Sequence, residues 1–321
     1  MIRLLVPGLL GPFPRRAEFP ELPRLPALER LIARSDRRLG PTSYAEALFE
    51  HFGVTGQAPL PTAPVCHLAD TQGQAESRYL LHADPVHLRP DQDRLLAFDF
   101  DSQALAQGGA DPFVEAFNHH FADSGMELLA PHPSRWYLAL NAAPHVRWHP
   151  LSEILGRNID PFLPQGADGT HWRGLLNEVQ MLFHSLPANP ERESRGLLPI
   201  SGLWFSGGGQ LPGRVINRPR PALAIDGTTE VDCPLAAGLA ALAPTAESDP
   251  LRIEHAAGRA VLDADVGAWL AALTALETCL PALMQGALRL DCCNGLSFYW
   301  STGMRRRFWR RPRSVRPEQS G

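Results

Sequence analysis

Residues 175–209, LLNEVQMLFHSLPANPERESRGLLPISGLWFSGGG, decide the fold of this chain. The stretch begins with apolar residues at helical spacing, continues through a polar loop punctuated by prolines, and ends in a short apolar strand and three glycines. In an open α/β sheet, ligands bind where a strand ends and the chain turns. The stretch therefore predicts an α/β fold with a ligand site beside the glycines.

The polar residues of this stretch form the predicted binding site. Arginine guanidinium groups recognise phosphate and carboxylate groups through paired hydrogen bonds, and successive backbone amides at a glycine turn can bind an anion. The residues that we predict to contact a ligand are His184, Asn189, Arg192, Arg195, Gly207, Gly208 and Gly209. The same residues equally fit a solvated helix end and a flexible turn, because the glycines match neither the dinucleotide-binding pattern nor the P-loop pattern.

The rest of the chain has the apolar pattern of an α/β protein. An apolar strand at residues 2–6 ends in Pro7-Gly8, and helical and strand patterns follow it. We predict a mainly parallel sheet with helices on both faces, formed by residues 1–75 and 166–300. Residues 76–165 are predicted to form a smaller inserted α+β unit, and residues 301–321 an arginine-rich C-terminal tail.

Composition excludes several classes of function. The chain has 321 residues, a formal net charge of −4 and no lysine, so all 30 basic residues are arginine. Schiff-base, pyridoxal-phosphate and ordinary P-loop chemistry each need a lysine and are excluded. Five irregularly spaced cysteines indicate reduced thiols. Because no segment approaches the ~18 apolar residues of a membrane span, we expect a cytoplasmic protein.

Three pairs of residues have the side-chain types of metal ligands: His119 and His120, His145 and His149, and Cys292 and Cys293. Pro144 and Pro150 bracket the second pair and oppose the helix that would align its imidazoles. Adjacent residues of a strand point to opposite faces, which opposes chelation by the cysteines. We therefore predict no metal and no cofactor.

The densest charged segment leaves two interpretations open. Its charged residues are Asp84, His87, Arg89, Asp91, Asp93 and Arg94. Such a segment forms either a hairpin with a solvated, salt-bridged loop or an acid–base site.

The C-terminal tail also has more than one interpretation. Seven arginines lie between Arg305 and Arg316, with Phe308 and Trp309 among them. Such a segment binds a protein partner, nucleic acid or anionic lipid. It can instead dock on the body of the protein, with the two aromatic side chains packed and the arginines in water. The acidic body of the chain argues against nucleic acid.

Residues 175–209 resemble a segment of the archaeal-type 2,3-bisphosphoglycerate-independent phosphoglycerate mutases. The matching residues are His184, Pro187, Asn189, Arg192, Gly196, Pro199, Trp204, Gly207 and Gly209. The whole chain is also similar to the RpfE-type regulatory proteins of bacteria. The segments that carry this second similarity are LLVPGLLGP, ADPVHLRPDQDRL, LWFSGGGQLP, AWLAALTALE and RRFWRRPR.

The resemblance implies an alkaline-phosphatase-like fold and, in the mutases, two divalent metals bound in part by an aspartate that ends the first strand. Pro7 stands at that position here, and the late segment VLDADVGAWLAAL has Asp263 and Asp265 but no histidine at ligand spacing. Two-metal phosphoryl transfer needs most of its carboxylate and imidazole ligands. We therefore expect no catalytic residues, and a degenerate regulatory protein that keeps a pocket for a phosphorylated or carboxylated metabolite.

Two alternatives to this regulatory function stay open. One is an active mutase or phosphate-ester hydrolase with an altered mechanism that uses Asp84 or His87. The other is an interaction protein that acts through its basic tail, with a protein as its partner.

Overall fold

The computed structural model describes residues 1–13, 19–54, 59–100, 105, 107–212, 220–225, 233–243 and 247–318. Its contacts divide the chain into two compact units. The first unit comprises Met1–Gly56 and Arg214–Gly321, and the second comprises Gln57–Gly213.

Strands and helices alternate along most of the chain. The strands are β1 (Ile2–Leu5), β2 (Asp36–Leu39), β3 (Tyr79–Asp91), β4 (Arg94–Phe98), β5 (Met126–His132), β6 (Arg135–Leu140), β7 (Gly202–Gly209), β8 (Arg220–Ile225), β9 (Glu247–Ile253), β10 (Leu288–Asp291) and β11 (Leu296–Trp300). The helices are α1 (Pro26–Arg34), α2 (Tyr44–His51), α3 (Thr62–Asp70), α4 (Gln107–His120), α5 (Leu151–Ile154), α6 (Gly169–Ser185), α7 (Ala188–Ser194), α8 (Pro234–Leu242), α9 (Ala256–Leu262) and α10 (Val266–Leu283). Asp160–Phe162 and Thr302–Arg306 form short 3-10 helices.

The first unit contains a mixed six-stranded sheet in the order β2-β11-β10-β1-β9-β8. Strands β10, β1, β9 and β8 are parallel to one another, and β11 pairs antiparallel with both β10 and β2. The antiparallel part arises because only four residues separate β10 from β11, which suffices for a hairpin but not for a parallel crossover. The predicted α/β class is confirmed and this sheet is mixed, whereas the description of the sheet as mainly parallel is not confirmed.

Helix α10 supplies much of the core of the first unit. Trp269, Leu273, Leu276 and Leu280 recur at helical spacing on its buried face. In the described part of the chain, α10 is also the one helix apolar and long enough to cross a membrane by length and composition. The expectation that no segment approaches the length of a membrane span is therefore wrong for α10, and a cytoplasmic location stays a prediction.

The second unit contains an antiparallel sheet in the order β4-β3-β6-β5, with β7 also paired to β3. Helices α4 and α6 pack on one face of this sheet, around Phe113 and Phe183. Helix α3 lies on the other face, where Thr62 contacts His82 of β3. In this division by contacts, β7 lies in the second unit, where it pairs with β3 from Leu80 to Val86. The predicted domain boundaries, with residues 166–300 in the main domain, stay a prediction.

Candidate functional site

Asn189 holds together the loop between α6 and β7. Its side-chain Nδ2 donates to the carbonyl oxygens of Phe183 (2.9 Å) and Ile200 (3.0 Å), and its Oδ1 accepts from the amide of Ile200 (2.8 Å). The residue is only 6% exposed. Both Nδ2 hydrogens are therefore used within the protein, and neither is left to donate to a ligand.

The two arginines of the predicted site occupy different environments. Arg192 is 5% exposed, its Nε donates to the carbonyl of Leu198 at 3.0 Å, and its guanidinium lies 5.3 Å from the ring centroid of Phe100. Burial, and then the nearby charge of Arg195, lower the pKa of Arg192. Arg195 is exposed at the C-cap of α7. Arg192 thus stabilises the loop, and Arg195 is the arginine within reach of solvent.

The three glycines form a bulge at the end of β7. Leu80 opposes Gly209 and His82 opposes Ser206, so β7 contains one more residue than β3 across this interval. Gly207 has φ +61°, the left-handed conformation in which glycine is favoured at such a bulge.

Packing also explains why glycine occupies these positions. A Cβ at position 207 would overlap Oγ1 of Thr62, and one at position 208 would overlap the hydroxyl of Tyr79. A Cβ at position 209 would overlap the ring of Pro61. The glycines allow β7 to approach α3 and β3 closely, and their geometry is that of a packed strand end rather than an open anion nest.

A groove of 460 Å³ opens on the second unit. Its polar side chains include His184, Asn189 and Glu193, and the hairpin of β3 and β4 contributes Leu88, Pro90 and Leu95. Of the seven residues predicted to bind a ligand, His184 and Asn189 line this groove, whereas the arginines and the glycines lie outside its lining. Ligand binding at any of them stays a prediction.

A polar cluster beneath α3 was not identified from the sequence. Arg135 donates through Nε and Nη2 to the carboxylate of Asp70, at 2.9 and 2.6 Å, and the hydroxyl of Tyr137 donates to the same carboxylate at 2.6 Å. The side chain of Asp70 is only 3% exposed. Because 65 residues separate the charged partners, no local pattern in the sequence indicates the pair.

Two residues of β3, which lie two positions apart, have strongly perturbed pKa values. Burial lowers the pKa of His82 to about 4, and burial followed by the charge of Asp99 raises the pKa of Asp84 to about 7. Burial also raises the pKa of the Cys66 thiol on α3. Asp84 therefore exchanges its proton near neutral pH, which is a property of catalytic acids and bases as well as of strained core groups.

Asp84 and His87 do not form an acid–base pair. Side chains alternate along β3, so these two residues point to opposite faces of the sheet. Nδ1 of His87 lies 3.0 Å from the carbonyl oxygen of Pro199. Further along the hairpin, Arg89 lies over the ring of Phe98 and the exposed Asp93 is 3.9 Å from Arg94. The segment beyond His87 thus has the geometry of the solvated hairpin.

The turn after β1 is closed by α9. A Cβ at Gly8, which has φ +74°, would lie 2.7 Å from Cα of Gly258 and 2.8 Å from the carbonyl oxygen of Ala257. Nε1 of Trp269 donates to the carbonyl of Gly8 at 3.0 Å. Pro7 at this strand end has no side-chain oxygen or nitrogen. The backbone of α9 therefore packs closely against this turn, and Pro7 offers no side-chain ligand for a metal.

The carboxylates near this edge of the sheet already have partners. Asp291 of β10 is buried and accepts from Nε of Arg3 at 2.6 Å, from Nε of Arg289 at 2.9 Å and from the hydroxyl of Ser297. A carboxylate that accepts from three donors is poorly placed to bind a cation.

The late aspartates also stabilise local structure. Asp263 pairs with Arg259 at 2.9 Å, and Asp265 accepts from the amide of Ala268 as the N-cap of α10. Among the residues described, no group of three or more His, Cys, Asp or Glu side chains assembles that would hold a metal ion. The donors at these positions therefore do not fit a two-metal centre.

Most of the histidines that were considered above as metal ligands each lie beside one carboxylate. His120 lies 2.8 Å from Glu178, and His149 lies 2.9 Å from Glu153. These are ordinary surface pairs of neighbouring residues or adjacent helices.

The C-terminal segment docks on the first unit. Docking was one interpretation of its sequence, but arginines make the contacts rather than the two aromatic side chains. Arg307 donates to the carboxylate of Asp36 at 2.6 Å, and Arg310 donates to the carbonyl of Ser35 at 2.8 Å. Phe308 and Trp309, predicted to be packed, are exposed. Arginines dock here because unpaired backbone carbonyls at the C-terminus of α1 accept their hydrogen bonds.

The chain has distant similarity to archaeal-type cofactor-independent phosphoglycerate mutases, although no model of a known protein family matches it. The 2,3-bisphosphoglycerate-independent phosphoglycerate mutase 2 of Methanothermobacter thermautotrophicus is 25% identical over 160 residues, which are 49% of this chain and 37% of that protein. The corresponding mutase of Methanosarcina mazei is 32% identical over 63 residues, which are 20% of this chain and 16% of that protein. The match thus covers well under two thirds of the length of either relative.

Two solved structures are also similar. A cofactor-independent phosphoglycerate mutase from Thermoplasma acidophilum has 15% identity and a TM-score of 0.40 over 94% of this chain and 90% of its own. A Pyrococcus horikoshii protein has 11% identity and a TM-score of 0.48 over 94% of this chain and 87% of its own. Similarity to the RpfE-type proteins stays a prediction.

Proposed function

We propose that this protein is a non-catalytic, phosphoglycerate-mutase-like regulatory protein that binds a small phosphorylated or carboxylated metabolite. The observation that carries the proposal is the closed turn after β1, where Pro7 stands and the backbone of α9 packs against Gly8. By the resemblance, a metal-binding aspartate would stand at position 7. Pro7 has no side-chain oxygen or nitrogen that could bind a metal, and among the described residues no group of three or more His, Cys, Asp or Glu side chains assembles that could hold one.

The groove on the second unit is the place that we propose for the metabolite. Its volume of 460 Å³ is within the range of sites for small molecules. The imidazole of His184 is the donor that we assign to the acidic group of the ligand, while Asn189 shapes the groove without binding. Glu193 on the groove wall repels a second negative charge, so a monocarboxylate is favoured over a multiply charged ester.

Calorimetric titration of the whole chain with small carboxylates and glycolytic phosphate esters tests the binding. His184→Ala should weaken binding roughly tenfold or more, as expected for a lost hydrogen bond to a charged group. His171→Ala is the matched control, because His171 is exposed on the same helix but does not line the groove. If no ligand gave a binding heat at millimolar concentration, metabolite binding would be refuted. The assay of phosphoglycerate interconversion would still test separately whether the protein is non-catalytic.

One observation favours a second candidate, a phosphate-ester hydrolase or mutase with an altered mechanism. The pKa of Asp84, raised to about 7, suits a general acid or base at neutral pH. Turnover of 3-phosphoglycerate or another phosphate ester, with and without manganese, should then be lost in Asp84→Asn. The exposed Asp91 of the same hairpin gives the matched control, Asp91→Asn. Equal activity in both variants would exclude Asp84 as the catalytic group.

A further inference from the structure

The C-terminal segment presents two large aromatic side chains to solvent. Phe308 is 77% exposed and Trp309 is 66% exposed, and their ring centroids lie 5.4 Å apart. Aromatic side chains normally bury most of their surface, so an exposed adjacent pair is a feature of interaction surfaces.

Hydrogen bonds on both sides fix the turn that carries this pair. Before it, Arg305 donates to the carbonyl of Met284 at 3.1 Å and Arg307 to Asp36 at 2.6 Å. After it, Arg310 donates to the carbonyl of Ser35 at 2.8 Å. Because its neighbours are tied to the first unit, the pair is held outward without an ordering cost on binding.

The segment around the pair is rich in positive charge. Arg306, Arg311, Arg313 and Arg316 are exposed, and none of these four guanidinium groups has a hydrogen bond or ion pair within the described residues. No acidic residue occurs in the sequence between Asp291 and Glu318. A partner that contacts this surface therefore needs apolar groups beside a high density of negative charge.

We propose that this surface binds anionic phospholipid bilayers peripherally, with Phe308 and Trp309 inserted at the interface and the four arginines on lipid phosphates. Guanidinium groups bind phosphate in a paired geometry, and tryptophan favours the headgroup region of a bilayer. The ring planes of the pair cross at 81°. Consecutive bases of a nucleic acid strand stack nearly parallel, so this pair does not form a platform for two of them. Insertion into a lipid interface has no such requirement.

Co-sedimentation of the whole chain with vesicles tests the proposal. One set of vesicles contains phosphatidylcholine alone, and the other contains phosphatidylcholine with phosphatidylserine. Each arginine near an anionic surface strengthens partitioning about fivefold, so changing the four free arginines to glutamine should weaken it by roughly two to three orders of magnitude. The matched control changes four other exposed arginines to glutamine: Arg30, Arg94, Arg147 and Arg173. The control should bind the anionic vesicles as the unchanged protein does.

The aromatic pair needs its own readout. Phe308→Ala combined with Trp309→Ala should abolish binding, and both side chains are exposed enough for the fold to be retained. Brominated phosphatidylcholine included in the anionic vesicles should quench fluorescence in the unchanged protein, and Trp309→Phe should remove most of that quenching.

Three outcomes would overturn the proposal. The first is equal binding to neutral and anionic vesicles, or none to either. The second is equal loss of binding in the control and the test arginine variants. The third is binding to single-stranded oligonucleotides, but not to vesicles, that the same aromatic and arginine changes abolish, since nucleic acid would then be the partner.

Discussion

Replacing Asn189 with alanine tests whether this residue belongs to the frame of the groove or to a ligand site. The change removes three hydrogen bonds, each of which contributes about 1 kcal/mol net to stability. It also leaves polar backbone atoms of Phe183 and Ile200 without their partner in a buried place, at a further cost of about 1–3 kcal/mol. We therefore expect a loss of about 4–6 kcal/mol in the free energy of unfolding.

Equilibrium unfolding in urea, followed by circular dichroism and tryptophan fluorescence, measures this loss. A change of this size is a large fraction of the stability of a typical domain, which is about 5–15 kcal/mol. His184→Ala is the matched control, because this exposed residue lines the same groove, and we expect a change within about 0.5 kcal/mol. An Asn189→Ala variant as stable as the unchanged protein, but with weaker ligand binding, would refute the structural role.

Three further changes have distinct expected results. Gly207→Ala should destabilise the second unit by about 2–4 kcal/mol, because it combines a left-handed φ with overlap on Thr62, and adding Thr62→Ala should restore part of the loss. Asp84→Asn should stabilise the protein more at about pH 8 than at about pH 5, measured by urea unfolding at each pH. Deleting residues 305–321 should lower Tm, because it removes the hydrogen bonds of Arg307 and the other docking arginines.

The direction of the pH prediction follows from the raised pKa of Asp84. An aspartate in the unfolded chain ionises near pH 4, whereas folded Asp84 keeps its proton up to about pH 7. Between these values the folded state binds more protons than the unfolded state, so stability falls as pH rises and stays low above pH 7. His82, whose pKa is lowered to about 4, has the opposite effect on stability. Between about pH 4 and about pH 6.5 the unfolded state binds more protons than the folded state, so the stability contributed by His82 falls as pH falls.

Each of these predictions has an outcome that would contradict it. A Gly207→Ala variant of normal stability would mean that the turn is open, as an anion nest requires. If the effect of Asp84→Asn on stability did not change with pH, the pKa of Asp84 in the folded protein would be that of an ordinary aspartate. An unchanged Tm after the deletion would show that the tail does not dock in solution.

Local patterns in the sequence predicted two of the three elements of residues 175–209, whereas helix α7 (Ala188–Ser194) lies where a polar loop was predicted. The apolar repeat of α6 and the short strand β7 depend on neighbouring residues, and both occur in the structure. The α/β class followed from the same alternation of patterns. The hairpin between β10 and β11 was missed because the short apolar run of β10 closely follows the helical pattern of α10 and was interpreted as part of it.

The roles of individual polar residues depended on distant parts of the chain. A run of three glycines is equally typical of an anion nest and of a packed bulge. The close packing against Pro61, Thr62 and Tyr79 favours the bulge, and these residues are distant in the sequence. The pairing of Asp70 with Arg135 likewise joins residues that are 65 positions apart. The sequence therefore shows what each side chain can donate or accept, but it does not show which distant residues that side chain contacts.

We propose that this mutase-like protein does not form the two-metal centre that phosphoryl transfer in the mutases needs. The most direct measurement is elemental analysis of the whole chain after incubation with manganese and removal of free metal, together with an assay of 2- and 3-phosphoglycerate interconversion. We predict substoichiometric metal and no interconversion, because Pro7 offers no side-chain ligand and the described residues include no group of three or more His, Cys, Asp or Glu side chains that could hold a metal. Two metals bound per chain with measurable mutase activity would contradict the account.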